Sequence, residues 1–451
     1  MHVDQVTQTT NHSLPTQVDH ERTSVTTRVH KHEHAKTTAH ALCAPTVFCG
    51  GYSVRETPGP IPNPEAKPDS ADGTAHESVW ESKTPSQNQL HEKEETTKPW
   101  PPPSHIHDIL TRMSVLNDLR VPILCAPMAG GPSTPELAAA VTNAGGLGSI
   151  AAGYLSPENF DQVLTQTREL TDLFNANIFV PEKVRPDTDD LKRYATALGE
   201  AFSEAVDVPE FNDDHFRDKI DIVLDHTPAI VTFTFGLPDT AIIQRVQSNG
   251  SHVGVTVTST AEAVASVEAG ADFLIVQSTE AGGHLSVHRQ DQAVTPTVLP
   301  VLVQEVRSKV SVPLVAAGGI GTVWQGQRAL DAGAQAVSIG TRFLTATEAG
   351  TKPAHADALV SGEFSSTVQT RAFSGRIARG LANTFTSTME PEQIVGYPHV
   401  HYMTSPIRKA HANDPQMLNL WAGTGFTHCV TQTASDIVSE FSALRVDRRH
   451  G

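Results

Sequence analysis

Hydrophobic and polar positions follow two different regimes along this chain, and the change comes near residue 105. Up to residue 104, Thr, His, Ser, Pro, Glu and Lys dominate, and no helical or strand period persists. Pro58-Gly59-Pro60-Ile61-Pro62-Asn63-Pro64 and Pro99-Trp100-Pro101-Pro102-Pro103 can build neither a ladder nor a helix. This composition predicts a disordered N-terminal tail. After Ile106, short apolar runs alternate with stretches of helical period. Strands are expected at 121–126, 147–152, 177–181, 229–235, 252–257, 273–276, 313–317 and 336–339. Helices are expected between them, at 134–144, 156–170, 238 onward, 261–269, 298–310 and 322–332. Pro135 suits a first helical turn, Ser156 an N-cap, and Gly145-Gly146 a helix stop. A charged insertion at 187–226 carries one or two further helices.

Eight strand–helix units force parallel pairing with right-handed crossovers and point to a closed (β/α)8 barrel. An open doubly wound sheet is the alternative, and it accounts for the count less naturally. The expected division is a tail over 1–104, the barrel over 105–345, and a last barrel helix with a small C-terminal cap over 346–451. A helix is expected at 437–444, with looser segments around 397–413. Barrels carry their chemistry at the C-terminal ends of the strands. Met128, Asn177, Gln277, His284, Gly318 and Gly340 all fall on that side.

Composition narrows the function classes. A net charge of −17 and a pI near 5.7 give no electrostatic support for nucleic-acid binding. No run approaches the length that spans a membrane, and the first thirty residues hold no apolar signal core. Cys43, Cys49, Cys125 and Cys429 show no paired spacing and read as free thiols, so a soluble, cytoplasmic protein is expected. His30, His32, His34 and His40 read as part of a biased tail rather than a metal site. The barrel shows neither a metal-spaced His/Cys set nor a GxSxG elbow.

The candidate chemistry gathers at three turns. Gly318-Gly319-Ile320-Gly321 follows the seventh strand, and Ser338-Ile339-Gly340-Thr341 ends the eighth. Backbone N–H groups in such turns make a phosphate cradle, and barrels bind phosphate after these two strands. The third turn is Gln277-Ser278-Thr279-Glu280-Ala281-Gly282-Gly283-His284. Gly282 and Gly283 let backbone approach a flat ligand, Gln277 offers a donor and an acceptor, and His284 titrates near neutrality. Gly146-Leu147-Gly148 precedes a strand and is a turn, not a dinucleotide fingerprint. A phosphate cradle, no metal set and one titratable group beside a glycine pair suggest a flavin mononucleotide (FMN) site with His284 as proton acceptor.

The chain resembles the nitronate monooxygenase family of FMN-dependent barrels. The matching motifs are Pro122-Ile123 through Ala126-Pro127-Met128-Ala129-Gly130, Gly145-Gly146-Leu147-Gly148, Asn177-Ile178-Phe179-Val180-Pro181 and Thr234-Phe235-Gly236-Leu237-Pro238. They continue with Gln277, Glu280-Ala281-Gly282-Gly283-His284, Ala316-Ala317-Gly318-Gly319-Ile320 and Gly340-Thr341-Arg342-Phe343-Leu344. Phe373-Ser374-Gly375-Arg376, Ala378-Arg379-Gly380 and Trp421-Ala422-Gly423 close the series, which covers roughly residues 115 to 428. The resemblance implies FMN contacts at Met128, Asn177, Gln277, Gly282, Gly319 and the turn Ser338, Ile339, Gly340, Thr341. It implies His284 as the catalytic histidine, and an alkyl nitronate and O2 as substrates, giving a carbonyl compound and nitrite.

One departure stands out: Leu285-Ser286 follow His284 where the family continues Arg-Gly. Arg289 and His288 are candidates to replace the missing charge. Phe373, Tyr402 and Trp421 are candidates for a substrate wall. Two other readings are an NAD(P)H-dependent FMN reductase acting on quinones or an enoyl thioester, and a flavin-binding barrel without catalysis.

Overall fold

A computed structural model describes residues 114–447. The expected tail over 1–104, with Cys43, Cys49 and its histidines, lies outside the described residues. The frame is β1 (Ile123–Cys125), β2 (Ser149–Ala151), β3 (Asn175–Phe179), β4 (Ile230–Thr234), β5 (His252–Val257) and β6 (Phe273–Gln277). A two-residue strand, β7 (Gly283–His284), leaves the rim before β8 (Leu314–Ala317) and β9 (Ala336–Ile339) complete the frame. The eight frame strands are parallel neighbours in the order β1-β9-β8-β6-β5-β4-β3-β2. The ring closes where the Cys125 N–H donates to Leu147 O (2.8 Å) and the Leu147 N–H to Ile123 O (3.0 Å). This is the expected (β/α)8 barrel.

Period-two alternation sorts the strand residues between inside and outside. Phe273 and Ile275 of β6 pack with Val315 and Ala317 of β8 in the barrel interior. Their neighbours Leu274, Val276, Leu314 and Ala316 face outward onto the surrounding helices, meeting Leu302, Val303 and Ala329. From β2–β4, Ile230 joins that apolar interior, and beside it lies a polar ladder. The Asn175 Nδ2 donates to Ser149 Oγ (3.1 Å), and the Thr232 hydroxyl donates to Asn175 Oδ1 (3.0 Å). That ladder explains why β3 starts at Asn175 rather than at 177, since an apolar-run criterion skips polar residues that are paired inside the barrel.

The helices begin and end on their local signals. The Thr134 side chain accepts from the Leu137 N–H ahead of Pro135–Ala144, and Gly145 ends that helix at φ 110°. Ser156 caps Pro157–Leu170 in the same way. The insertion holds two helices, Thr188–Phe202 and Phe216–His226. The helix expected at 437–444 is Ala434–Glu440, continued by a 3₁₀ turn at Phe441–Ala443. The sequence did not predict a second sheet. β10 (Thr367–Thr370) pairs antiparallel with β11 (Ala378–Leu381), and β11 pairs with β7, which sets Ala378 opposite His284. Among the described residues no helix is long and apolar enough to cross a membrane.

Candidate functional site

Met128, Asn177, Gln277, Gly282, Gly318, Gly319, Ser338, Ile339, Gly340, Thr341 and His284 all line one cavity of about 510 Å³ at the C-terminal rim. Its size suits a cofactor with a small substrate. β6 and β7 set the position of His284 through one amide. The Gln277 Nε2 donates to His284 O (3.1 Å), and the Gln277 Oε1 accepts from the Ser286 N–H (2.7 Å). The imidazole Nε2 lies 2.8 Å from Ser374 Oγ. Phe235, Tyr397 and Trp421 surround the ring at centroid distances of 5.5, 5.8 and 5.3 Å. Burial, then the charges of Arg376 and Arg408, push its pKa down to about 3. His284 is therefore a neutral hydrogen-bonding group in this cavity.

The glycine turns have the required backbone. Gly318 and Gly319 sit at φ 120° and 71°, a region that favours glycine. The N–H groups of Gly319, Gly340 and Thr341 meet no protein acceptor among the described residues, although all three residues line the cavity. Gly282 has a different task. A Cβ there would stand 2.4 Å from the Gly423 N and 2.6 Å from the Ala422 carbonyl carbon, so its missing side chain lets the 421–425 loop close over the rim. Asn177 gives its Nδ2 to Thr232 O, Thr232 Oγ1 and Thr234 Oγ1, which fixes the amide on the cavity floor. No group of three or more metal-holding His, Cys, Asp or Glu residues occurs among the described residues.

The departure after His284 is structural. Leu285 is buried, and the Ser286 Oγ accepts from the Phe235 N–H (2.9 Å). Neither candidate replacement for the missing charge reaches the cavity. Arg289 pairs with Asp291 at 2.8 Å on the surface, and the His288 ring bonds Thr256 O at 3.1 Å. Of the aromatic candidates, Trp421 lines the wall, Phe373 packs behind it in the core, and Tyr402 packs edge-on to His401. Sequence reasoning missed Tyr154, Phe235, Lys352, His355, His401 and Arg408, which also line the cavity. The spacing of His401, Ser405 and Arg408 on one helical face was the available signal.

Residues 113–443 match the family described as nitronate monooxygenase. A Staphylococcus saprophyticus protein named probable nitronate monooxygenase is 36% identical over 330 residues, spanning 69% of this chain and 91% of that one. Among solved structures, nitroalkane oxidase from Streptomyces ansochromogenes is 39% identical with a TM-score of 0.69, covering 73% of this chain and 97% of its own. FabK from Thermotoga maritima is 26% identical with a TM-score of 0.58, covering 73% and 94%.

Proposed function

The chain belongs to the nitronate monooxygenase family and is an oxidoreductase, and from that premise we propose that it oxidises alkyl nitronates with O2, using FMN, to a carbonyl compound and nitrite. The family is flavin-dependent in general. The choice of FMN rests on the unpaired N–H groups of Gly319, Gly340 and Thr341, which suit one phosphate at the strand ends. Met128 and Ile339 offer apolar surface beside them, and Gly283 leaves open space above its Cα. When bound, FMN supplies the redox chemistry, and the chain supplies orientation and electrostatics.

One observation carries the reading: a neutral histidine shares a wall with the phosphate cradle. The Ser374 hydroxyl has one proton, and Arg376 O accepts it at 3.2 Å. With the Ser374 proton given to Arg376 O, the tautomer that completes the contact carries hydrogen on the His284 Nε2 and leaves Nδ1 as the acceptor. A ring with a pKa near 3 is a weak base, so it removes a proton from a neutral nitroalkane slowly. A nitronate has already lost that proton and needs only to be oriented. The reading also places the protein in the cytoplasm, where Cys125 and Cys429 remain free thiols.

The test is chromatography of the cofactor released from the purified protein, with nitrite measured during aerobic turnover of a nitronate. The reading expects FMN at about one per chain and nitrite formed in step with nitronate lost. Another flavin would overturn the cofactor assignment, and turnover without nitrite would overturn the reaction.

A further inference from the structure

The charges around the cavity are one-sided. The chain carries a net charge of −17, yet among the described residues no aspartate or glutamate lines the cavity, while Lys352, Arg408 and Lys409 do. Arg408 differs from the two guanidinium groups buried furthest. Arg376 is 2.6 Å from Glu182, and Arg342 is 2.6 Å from Glu440. No carboxylate lies within ion-pair distance of Arg408 among the described residues. Its Nε donates to Thr404 Oγ1 (3.3 Å), its Nη1 to Asn419 Oδ1 (3.1 Å) and its Nη2 to His401 O (3.0 Å). These partners are neutral and use three of five N–H groups, leaving one on each terminal nitrogen.

Two neighbours on the same helix, His399–Ala410, face the same space. His401, Ser405 and Arg408 stand at i, i+4 and i+7, and all three line the cavity. The His401 ring stacks on Tyr154 at 4.1 Å and 2°, and neither ring nitrogen has a protein partner among the described residues. Tyr154 is itself fixed, because its N–H donates to Asp214 Oδ1 at 2.9 Å and Asp214 pairs with the fully buried Lys219 at 2.8 Å.

We propose that Arg408, with His401 and Ser405, forms a second anion subsite that takes a carboxylate or phosphate group carried by a substrate away from its reacting atom. An unpaired guanidinium with one free N–H on each terminal nitrogen, beside a histidine with open nitrogens, is suited to an oxyanion. Two molecules would bring that chemistry: a nitronate with an acid tail, or a nicotinamide dinucleotide with its pyrophosphate. The first source rests on the nitronate oxidation proposed above, whereas the subsite itself does not.

The experiment titrates the flavin-bound full-length protein with glutarate and with inorganic pyrophosphate, reading the flavin absorbance and the heat of binding. Wild type is expected to bind at least one of them. Arg408→Met should weaken that binding roughly 10- to 100-fold, the range for a lost charged hydrogen-bond pair. Ser405→Glu, which places a carboxylate three residues before Arg408, should weaken it as well and serves if Arg408→Met does not fold. No binding by wild type, or unchanged affinity in the variants, would overturn the subsite.

The source is then read from turnover. For an acid-tailed nitronate, Arg408→Met lowers kcat/KM for propionate 3-nitronate at least tenfold more than for propyl-1-nitronate. For a dinucleotide, the KM for NADH rises instead and the ratio of the two nitronates holds. If neither nitronate turns over while glutarate still binds through Arg408, the proposed function falls and the anion subsite stands.

Discussion

Loss of bulk water, then the positive charges of Arg376 and Arg408, keep His284 uncharged near neutral pH. His284→Ala should keep its flavin, and it should lose turnover of neutral nitroalkanes by at least tenfold more than turnover of nitronates, since only the former need a proton acceptor. Steady-state rates on both forms of one compound decide this, and equal losses would remove His284 as the acceptor. The second prediction concerns stability. The folded pKa is lowered to about 3 from an ordinary value near 6.5, so below pH 6.5 the unfolded chain binds a proton that the fold excludes. Stability should therefore fall as pH drops from 6.5 toward 3, by about 1.4 kcal/mol per pH unit for each such histidine, and be unaffected above that window. His355, lowered to about 4 by burial, and His401 shift in the same direction. Urea unfolding at pH 7 and pH 5 should show a shallower loss in His284→Gln than in wild type, and an equal slope would mean the ring is not held neutral.

Among the elements, those after β9 add to the wall at the barrel rim, where Lys352, His401, Arg408 and Trp421 line the cavity beside the strand ends. Arg376, just ahead of β11, donates to Glu182 Oε2 (2.6 Å) and to Val287 O (2.7 Å), and Glu182 also accepts from the Gln290 N–H (3.1 Å). One buried ion pair thus ties the stretch ahead of β11 to the loops after β3 and β7. Arg376→Met leaves a carboxylate buried without its partner and should cost about 3–5 kcal/mol in chemical denaturation, and Glu182→Leu in the same chain should recover most of that. Additive losses would mean the pair is not coupled. The glycine pair separates in the same way. Gly282→Ala would press a methyl group into the Ala422–Gly423 backbone, whereas Gly283→Ala meets nothing within 4 Å and bears only the strain of φ 73°. The first should lower both flavin content and Tm, and the second should lower Tm alone by less.

Legibility also differed by element. Long apolar runs such as Phe273–Val276 and capped helices such as Pro135–Ala144 were readable, because burial and capping leave marks within a few residues. β7, β10 and β11 were not, because Gly283-His284, Thr367–Thr370 and Ala378–Leu381 hold no apolar run and draw their stability from pairing with one another.

At the scale of the whole molecule, the described residues that line the cavity fall between 126 and 425. Removing residues 1–100 should therefore leave the flavin content of the purified protein unchanged, and loss of flavin on truncation would contradict this. All the rim residues picked from glycine turns and strand ends meet in that cavity, since the barrel topology alone brings strand ends together. His401 and Arg408 were hidden for the opposite reason: their shared helical face is readable, but the arrival of that helix at the rim depends on tertiary packing between distant parts of the chain. On the proposed function, a nitronate rather than a nicotinamide delivers electrons in this site. The direct measurement is to mix the purified protein anaerobically with a nitronate, and separately with NADH and NADPH, and follow the flavin absorbance. Bleaching or a semiquinone band with the nitronate alone is the predicted result. Bleaching only with a nicotinamide would contradict it and make the protein a reductase.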